Sequence, residues 1–168
     1  MTVRLQDEAF DPGVLLTDFC RDRRMTGAVV SFTGLVRADH GVQALELVAY
    51  QGFTDAEIAR IAHAACARFE VQDVLVVHRT GAMAPGEPVV FVAAAAAHRR
   101  AAFLAADHLM DYLKSRAPFW KKSHHADGVR WIEPTATDYN DASRWDGTDG
   151  QAPQSQTEPQ TVALKEPS

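Results

Sequence analysis

The segment that most limits what this chain can fold into is His98–Lys122, HRRAAFLAADHLMDYLKSRAPFWKK. Ala102, Ala105, Leu109 and Leu113 recur at helical spacing and define one inward-facing stripe. About five turns of helix, at roughly 3.6 residues per turn, must therefore lie against an apolar layer. Pro118 stops that helix, because it lacks an amide proton and disfavours helical geometry in the residue before it. Phe119-Trp120-Lys121-Lys122 then begins a new segment, which pairs in expectation as a closing hairpin, 120–124 with 129–132, around Asp127-Gly128.

The rest of the chain supplies the layer. Val3–Phe10 is short and alternating, as in an edge strand. Asp11-Pro12-Gly13 suits a helix start, with Pro in the first turn. Gly27–Gly34 is apolar and β-branched and reads as a buried strand, with 42–50 as its expected hairpin partner. Thr54 with Glu57 has the form of a capping box, opening a helix whose apolar face carries Ile58, Ile61, Ala62, Ala65, Cys66 and Phe69. Val71–Thr80 is a strand and Val89–Val92 begins another. Ala93–Ala97 is ambiguous: alanine favours helix, whereas continuity with VVFV favours strand. The order β-α-β-β-α-β-α-β-β describes an α+β fold, with helices packed on a mostly antiparallel sheet.

Charge adds a second constraint. Between His98 and Arg130 seven Lys/Arg face three acids, although the chain carries a formal −5. A local excess of cations concentrates anionic ligands, but a solvated helix face with a basic C-terminal end gives the same count. From Asp146 the chain is acidic, proline-containing and without aromatic residues, which reads as a disordered tail behind a single 1–145 domain. That tail holds a net −3, so the domain itself is near neutral.

Several classes of function fit poorly. Cys20 and Cys66 make no disulfide framework and no CxxC. No signal region or membrane-length apolar run is present, which points to a cytoplasmic protein without a membrane partner. His124 and His125 are adjacent and point to opposite faces of a strand, and no zinc spacing occurs, so no metal or other cofactor is expected. The basic excess is too compact for a nucleic-acid surface. Lys114, near the end of the long helix, and Lys121, behind Pro-Phe-Trp, are more informative. A bulky apolar surround desolvates an ammonium and lowers its pKa, fitting it for proton transfer or nucleophilic attack; by composition alone each is also an ordinary surface lysine.

Four stretches, SFTGLVR (31–37), VVHRTGAMAPGE (76–87), AHRRAAF (97–103) and above all MDYLKSRAPFWKK (110–122), resemble the large, catalytic subunit of molybdopterin synthase. The resemblance runs from Gly27 to Trp145 and includes the Arg-Trp pairs at 130–131 and 144–145. It implies an α/β hammerhead-type fold with an additional antiparallel sheet. It also implies a homodimer that binds two small ubiquitin-like sulfur-carrier subunits, each ending in a Gly-Gly thiocarboxylate. In such a heterotetramer two sulfurs pass to cyclic pyranopterin monophosphate and form the molybdopterin dithiolene, a step of molybdenum cofactor biosynthesis that needs no metal.

By motif position the resemblance makes Lys114 and Lys121 the catalytic lysines. His98, Arg99 and Arg37 would hold the pterin phosphate, with Leu35, Val36, Lys122 and Ser123 lining the pocket and Phe32 and Met110 as walls. Leu35 stands where members of the family often carry a basic residue, which leaves it backbone contact. Because both reactants are anions, a cationic pocket suits the chemistry. Two other readings stand beside it: a non-catalytic scaffold for a ubiquitin-like sulfur carrier, and an unrelated enzyme acting on another phosphorylated small molecule.

Overall fold

The computed structural model describes residues 1–147; the tail expected from residue 146 lies, from 148 on, outside the described residues. The elements in order are β1 (Thr2–Gln6), α1 (Pro12–Cys20), β2 (Ala28–Leu35), β3 (Ala44–Ala49), α2 (Thr54–Phe69), β4 (Asp73–Arg79), β5 (Gly81–Met83), β6 (Pro88–Ala96), α3 (Arg99–Ser115), β7 (Phe119–His125), β8 (Gly128–Ile132) and α4 (Ala136–Ser143). They form two four-stranded sheets, β1-β4-β6-β2 and β5-β3-β7-β8. Only β1–β4 pairs in parallel. This is the expected α+β class with its additional antiparallel sheet.

The first sheet is covered on both faces, which is why its strands read as unbroken apolar runs. Side chains alternate across a strand. Val74, Val76, Val92, Ala94 and Ala96 face α2 and α3 and pack with Ile58, Ile61, Ala102, Ala105 and Leu109. Leu75, Val77, Phe91, Ala93 and Ala95 face the other way and meet Phe19 of α1. Asp11 caps α1 by accepting from the Gly13 and Val14 amides at 2.7 and 3.2 Å. The alanine run resolves as strand through Ala96, because β6 is paired on both sides, with β2 and β4. Its small side chains leave room for α3.

Three expectations need correction. The strand at 44–49 is not the hairpin partner of 28–35: β2 joins β6, whereas β3 lies in the other sheet between β5 and β7. The expected buried strand is an edge strand: β2 pairs on one side only, with β6, leaves Phe32 and Leu35 exposed, and a bulge at Gly34/Leu35 turns the chain out of the first sheet. Thr54 does not cap α2. Phe53 holds the cap position without a side-chain bond; the buried Thr54 hydroxyl instead accepts from the Tyr50 amide and donates to the Pro118 carbonyl, 3.0 and 3.1 Å. The element order also gains β5 and a C-terminal helix, α4.

Gly27 enters β2 against the end of β6, its amide donating to the Ala96 carbonyl at 3.0 Å. A Cβ there would sit 2.2 Å from the Ala97 carbonyl oxygen, a backbone atom that β6 and α3 hold in place. Gly27→Ala is expected to destabilise the protein by about 2 kcal/mol, the usual scale of overpacking, read from urea unfolding. An unchanged midpoint would show that the β2 entrance yields.

Candidate active site

α3 ends just before Pro118, and β7 carries the chain back across the edge of the first sheet. Lys114 lies in the last turn of α3 and Lys121 two residues into β7. Thr54 ties the crossing between them by its bond to Pro118. Lys121 is half-buried between its strand neighbours Leu47 and Ile132. Burial is the main force lowering its pKa from the ordinary lysine value; the Lys114 charge lowers it further and the Asp138 carboxylate opposes both. The sequence expectation of a desolvated lysine behind Pro-Phe-Trp holds for this residue. Lys114 keeps a 64% exposed side chain, with its Nζ 3.2 Å from Asp138 Oδ1.

His78 of β4 lies near enough to Lys121 for the lysine charge to act on its ring. It is buried, stacks on Phe119 at 4.2 Å between ring centroids, and has its pKa lowered to about 4, mainly by burial. Its Nδ1 lies 2.9 Å from the Arg79 carbonyl. A carbonyl only accepts, so Nδ1 carries the proton and Nε2 keeps its lone pair.

The remaining candidates separate into groups. Val36 is buried with Leu47 and Met83, against Phe119, and exchanges backbone bonds with Gly86 and Glu87 at 2.8 and 3.0 Å. That link fixes the 35–37 turn beside the start of β7. Leu35 is exposed there, and Arg37 is exposed and paired with Asp39 at 3.1 Å. Phe32 is 42% exposed on β2, and Met110 packs against the main core from α3. Ser123 shares the Lys121 side of β7 but is buried, donating to the Arg130 carbonyl at 3.4 Å. Lys122 alternates to the opposite face, where it pairs with Glu46 at 3.2 Å and lies over Trp131 at 5.1 Å.

His98 and Arg99 are not brought to the lysines within one chain. They occupy the N-terminal end of α3, beside the Ala28↔Ala96 end of the sheet, whereas Leu35 pairs at the Pro88 end. From Arg99 to Lys114 the helix advances roughly 22 Å at about 1.5 Å per residue, too far for one small anion to touch both.

Two contributors were not singled out from the sequence. Asp138 is 9% exposed and forms a capping box with Thr135 at the start of α4; the spacing Thr135-x-x-Asp138 was its available signal. His78 had none, since its role comes from stacking and burial. Cys66 is half-buried and burial pushes its thiol pKa up, the reverse of what a nucleophile requires. Among the described residues no group of three or more His, Cys, Asp or Glu is arranged to hold a metal, and no helix is long and apolar enough to cross a membrane.

A family model described as MoaE protein matches residues 5–116. This chain belongs to the MoaE family. The molybdopterin synthase catalytic subunit of Caulobacter vibrioides is 63% identical over 147 residues, spanning 87% of this chain and 98% of that protein. The subunit of the same name from Mesorhizobium japonicum is 51% identical, spanning 86% and 92%. Among solved structures, the MoaE protein from Burkholderia ambifaria matches with a TM-score of 0.74 at 39% identity, covering 87% of this chain and 98% of that one. These relatives make the chain a sulfur-transferring enzyme of molybdenum cofactor biosynthesis.

Proposed function

We propose that this MoaE-family chain transfers two sulfurs from the C-terminal thiocarboxylate of a small ubiquitin-like subunit to cyclic pyranopterin monophosphate, forming the dithiolene, with Lys114 and Lys121 as the catalytic pair. The observation that carries the reading is the lysine pair itself. One ammonium is desolvated and tuned downward beside a second that stays exposed. A lysine of lowered pKa is suited to proton exchange, and a charged neighbour stabilises the oxyanion formed when water adds to the acyl carbon, before the carbon–sulfur bond breaks and leaves a carboxylate. A scaffold that only gripped a sulfur carrier would have no use for that arrangement.

The separation of His98 and Arg99 from the lysines fits a site assembled from two copies of the chain. In a homodimer, the exposed His98 and Arg99 of one copy can meet the Arg37 and lysine end of the other, gathering cations from both ends of α3 around one phosphate. A small subunit bound at each such site gives the heterotetramer.

The test is a reconstituted reaction of this protein with a thiocarboxylated ubiquitin-like partner and cyclic pyranopterin monophosphate, read as dithiolene product. Product formation, with sedimentation showing a dimer, is expected. No product from a partner that still binds would favour the scaffold reading.

A further inference from the structure

We propose that Asp138 is a positioning residue for the lysine pair: its carboxylate, locked by Thr135, tethers the Lys114 ammonium over the site and sets the charge felt by Lys121. The proposal rests on the reading of Lys114 and Lys121 as the catalytic pair.

The two oxygens of Asp138 have separate tasks. Oδ2 accepts from both the backbone amide and the hydroxyl of Thr135, each at 2.7 Å, while the Thr135 hydroxyl accepts from the Asp138 amide at 3.3 Å. These bonds fix the carboxylate plane and leave Oδ1 directed at Lys114 Nζ, 3.2 Å away. The helix bearing this clamp, α4, packs on α3 itself. Lys114, by contrast, has a flexible four-carbon stem and a 64% exposed side chain; nothing else among the described ion pairs holds its ammonium. An exposed lysine adds little to stability through one ion pair, so a rigid, buried partner for it serves geometry better than folding.

Asp138 also acts on the second lysine. The charged groups acting on Lys121 are Lys114 from α3 and Asp138 from α4; His78 from β4 instead feels the Lys121 charge, which with burial lowers its own pKa. Of the two acting groups only the carboxylate favours the ammonium form, so it offsets the repulsion between two cations that must share one anionic substrate.

Asp138→Asn tests this, because the amide keeps the shape and an oxygen for Thr135 but loses the charge. Two readouts are needed. Turnover in the reconstituted reaction should fall about 10- to 100-fold in kcat, the scale of a misplaced catalytic group, with KM little changed. Acylation of Lys121 by an amine-selective reagent, followed by mass spectrometry across pH, should show its midpoint move to lower pH, with or without partner protein. Thr135→Ala, which removes the hydroxyl but keeps the backbone amide bond and the carboxylate charge, should lower the unfolding midpoint as cap losses do and move the acylation midpoint less than Asp138→Asn does. Wild-type kcat and an unmoved midpoint in Asp138→Asn would overturn the proposal. If wild-type protein makes no dithiolene but the Asp138→Asn midpoint still moves, the positioning role stands and the sulfur-transfer reading falls.

Discussion

Lys114→Ala is expected to reduce dithiolene formation by about 10²–10⁴-fold, the range for removing a positioned proton-transfer or charge-stabilising group. Dimerisation and partner binding should survive, because the Lys114 side chain is largely exposed and belongs to no apolar cluster. Lys121→Ala should cost a similar factor, and Lys121→Arg separates the two roles of that residue. Arginine keeps the charge but does not titrate in the accessible range. If proton exchange at Lys121 limits the reaction, Lys121→Arg is nearly as poor as Lys121→Ala and loses the pH limb that lies below the ordinary lysine value; if charge alone matters, it recovers most of the rate. Full turnover in Lys114→Ala would remove that residue from the mechanism.

A second large effect should appear in acid. His78 and His108 are both buried, and burial is the main cause lowering each pKa from 6.5 to about 4. In the unfolded chain both return to about 6.5. Between those values the unfolded state binds more protons than the folded one, so stability falls as pH drops through that window and the dependence levels off below the folded values. From pH 7.5 to pH 5 each histidine should cost about 2 kcal/mol, at roughly 1.4 kcal/mol per unit of pKa difference. His108 offers the cleaner test. It is ringed by Phe69, Tyr112 and Trp145, with centroids at 5.4, 4.7 and 5.2 Å, and its buried Nδ1 has no hydrogen-bond partner among the described residues. His108→Phe should be at least as stable as wild type at pH 7.5 and should lose about half of the acid sensitivity. Urea unfolding at the two pH values measures both, and an unchanged acid slope would show that His108 does not titrate on unfolding.

Much of this molecule was legible in its local patterns. The α3 stripe of Ala102, Ala105, Leu109 and Leu113 is buried as its spacing requires, Asp11 caps α1, and the hairpin closes around Asp127-Gly128. Each follows from forces that act within a few residues: side-chain periodicity, an orphan amide at a helix start, a turn. The desolvation of Lys121 was legible as well, because Pro118-Phe119-Trp120 directly precedes it. Where local signals misled, a distant partner outweighed them. Thr54 has a capping sequence, yet its hydroxyl is taken by Tyr50 and Pro118. The β2 strand precedes a suitable hairpin partner, yet it pairs with the distant β6 and forms an edge of the first sheet.

The sequence by itself thus determined most of the element types, the apolar faces of the main helices and the concentration of cations at the end of α3. Only the tertiary structure decided which strands pair, that His98 and Arg99 stand a helix-length from the lysines, and that Asp138 and His78 converge on them. Propensity and periodicity are properties of neighbouring residues, whereas burial and Coulomb forces depend on what the folded chain brings close from far along its length.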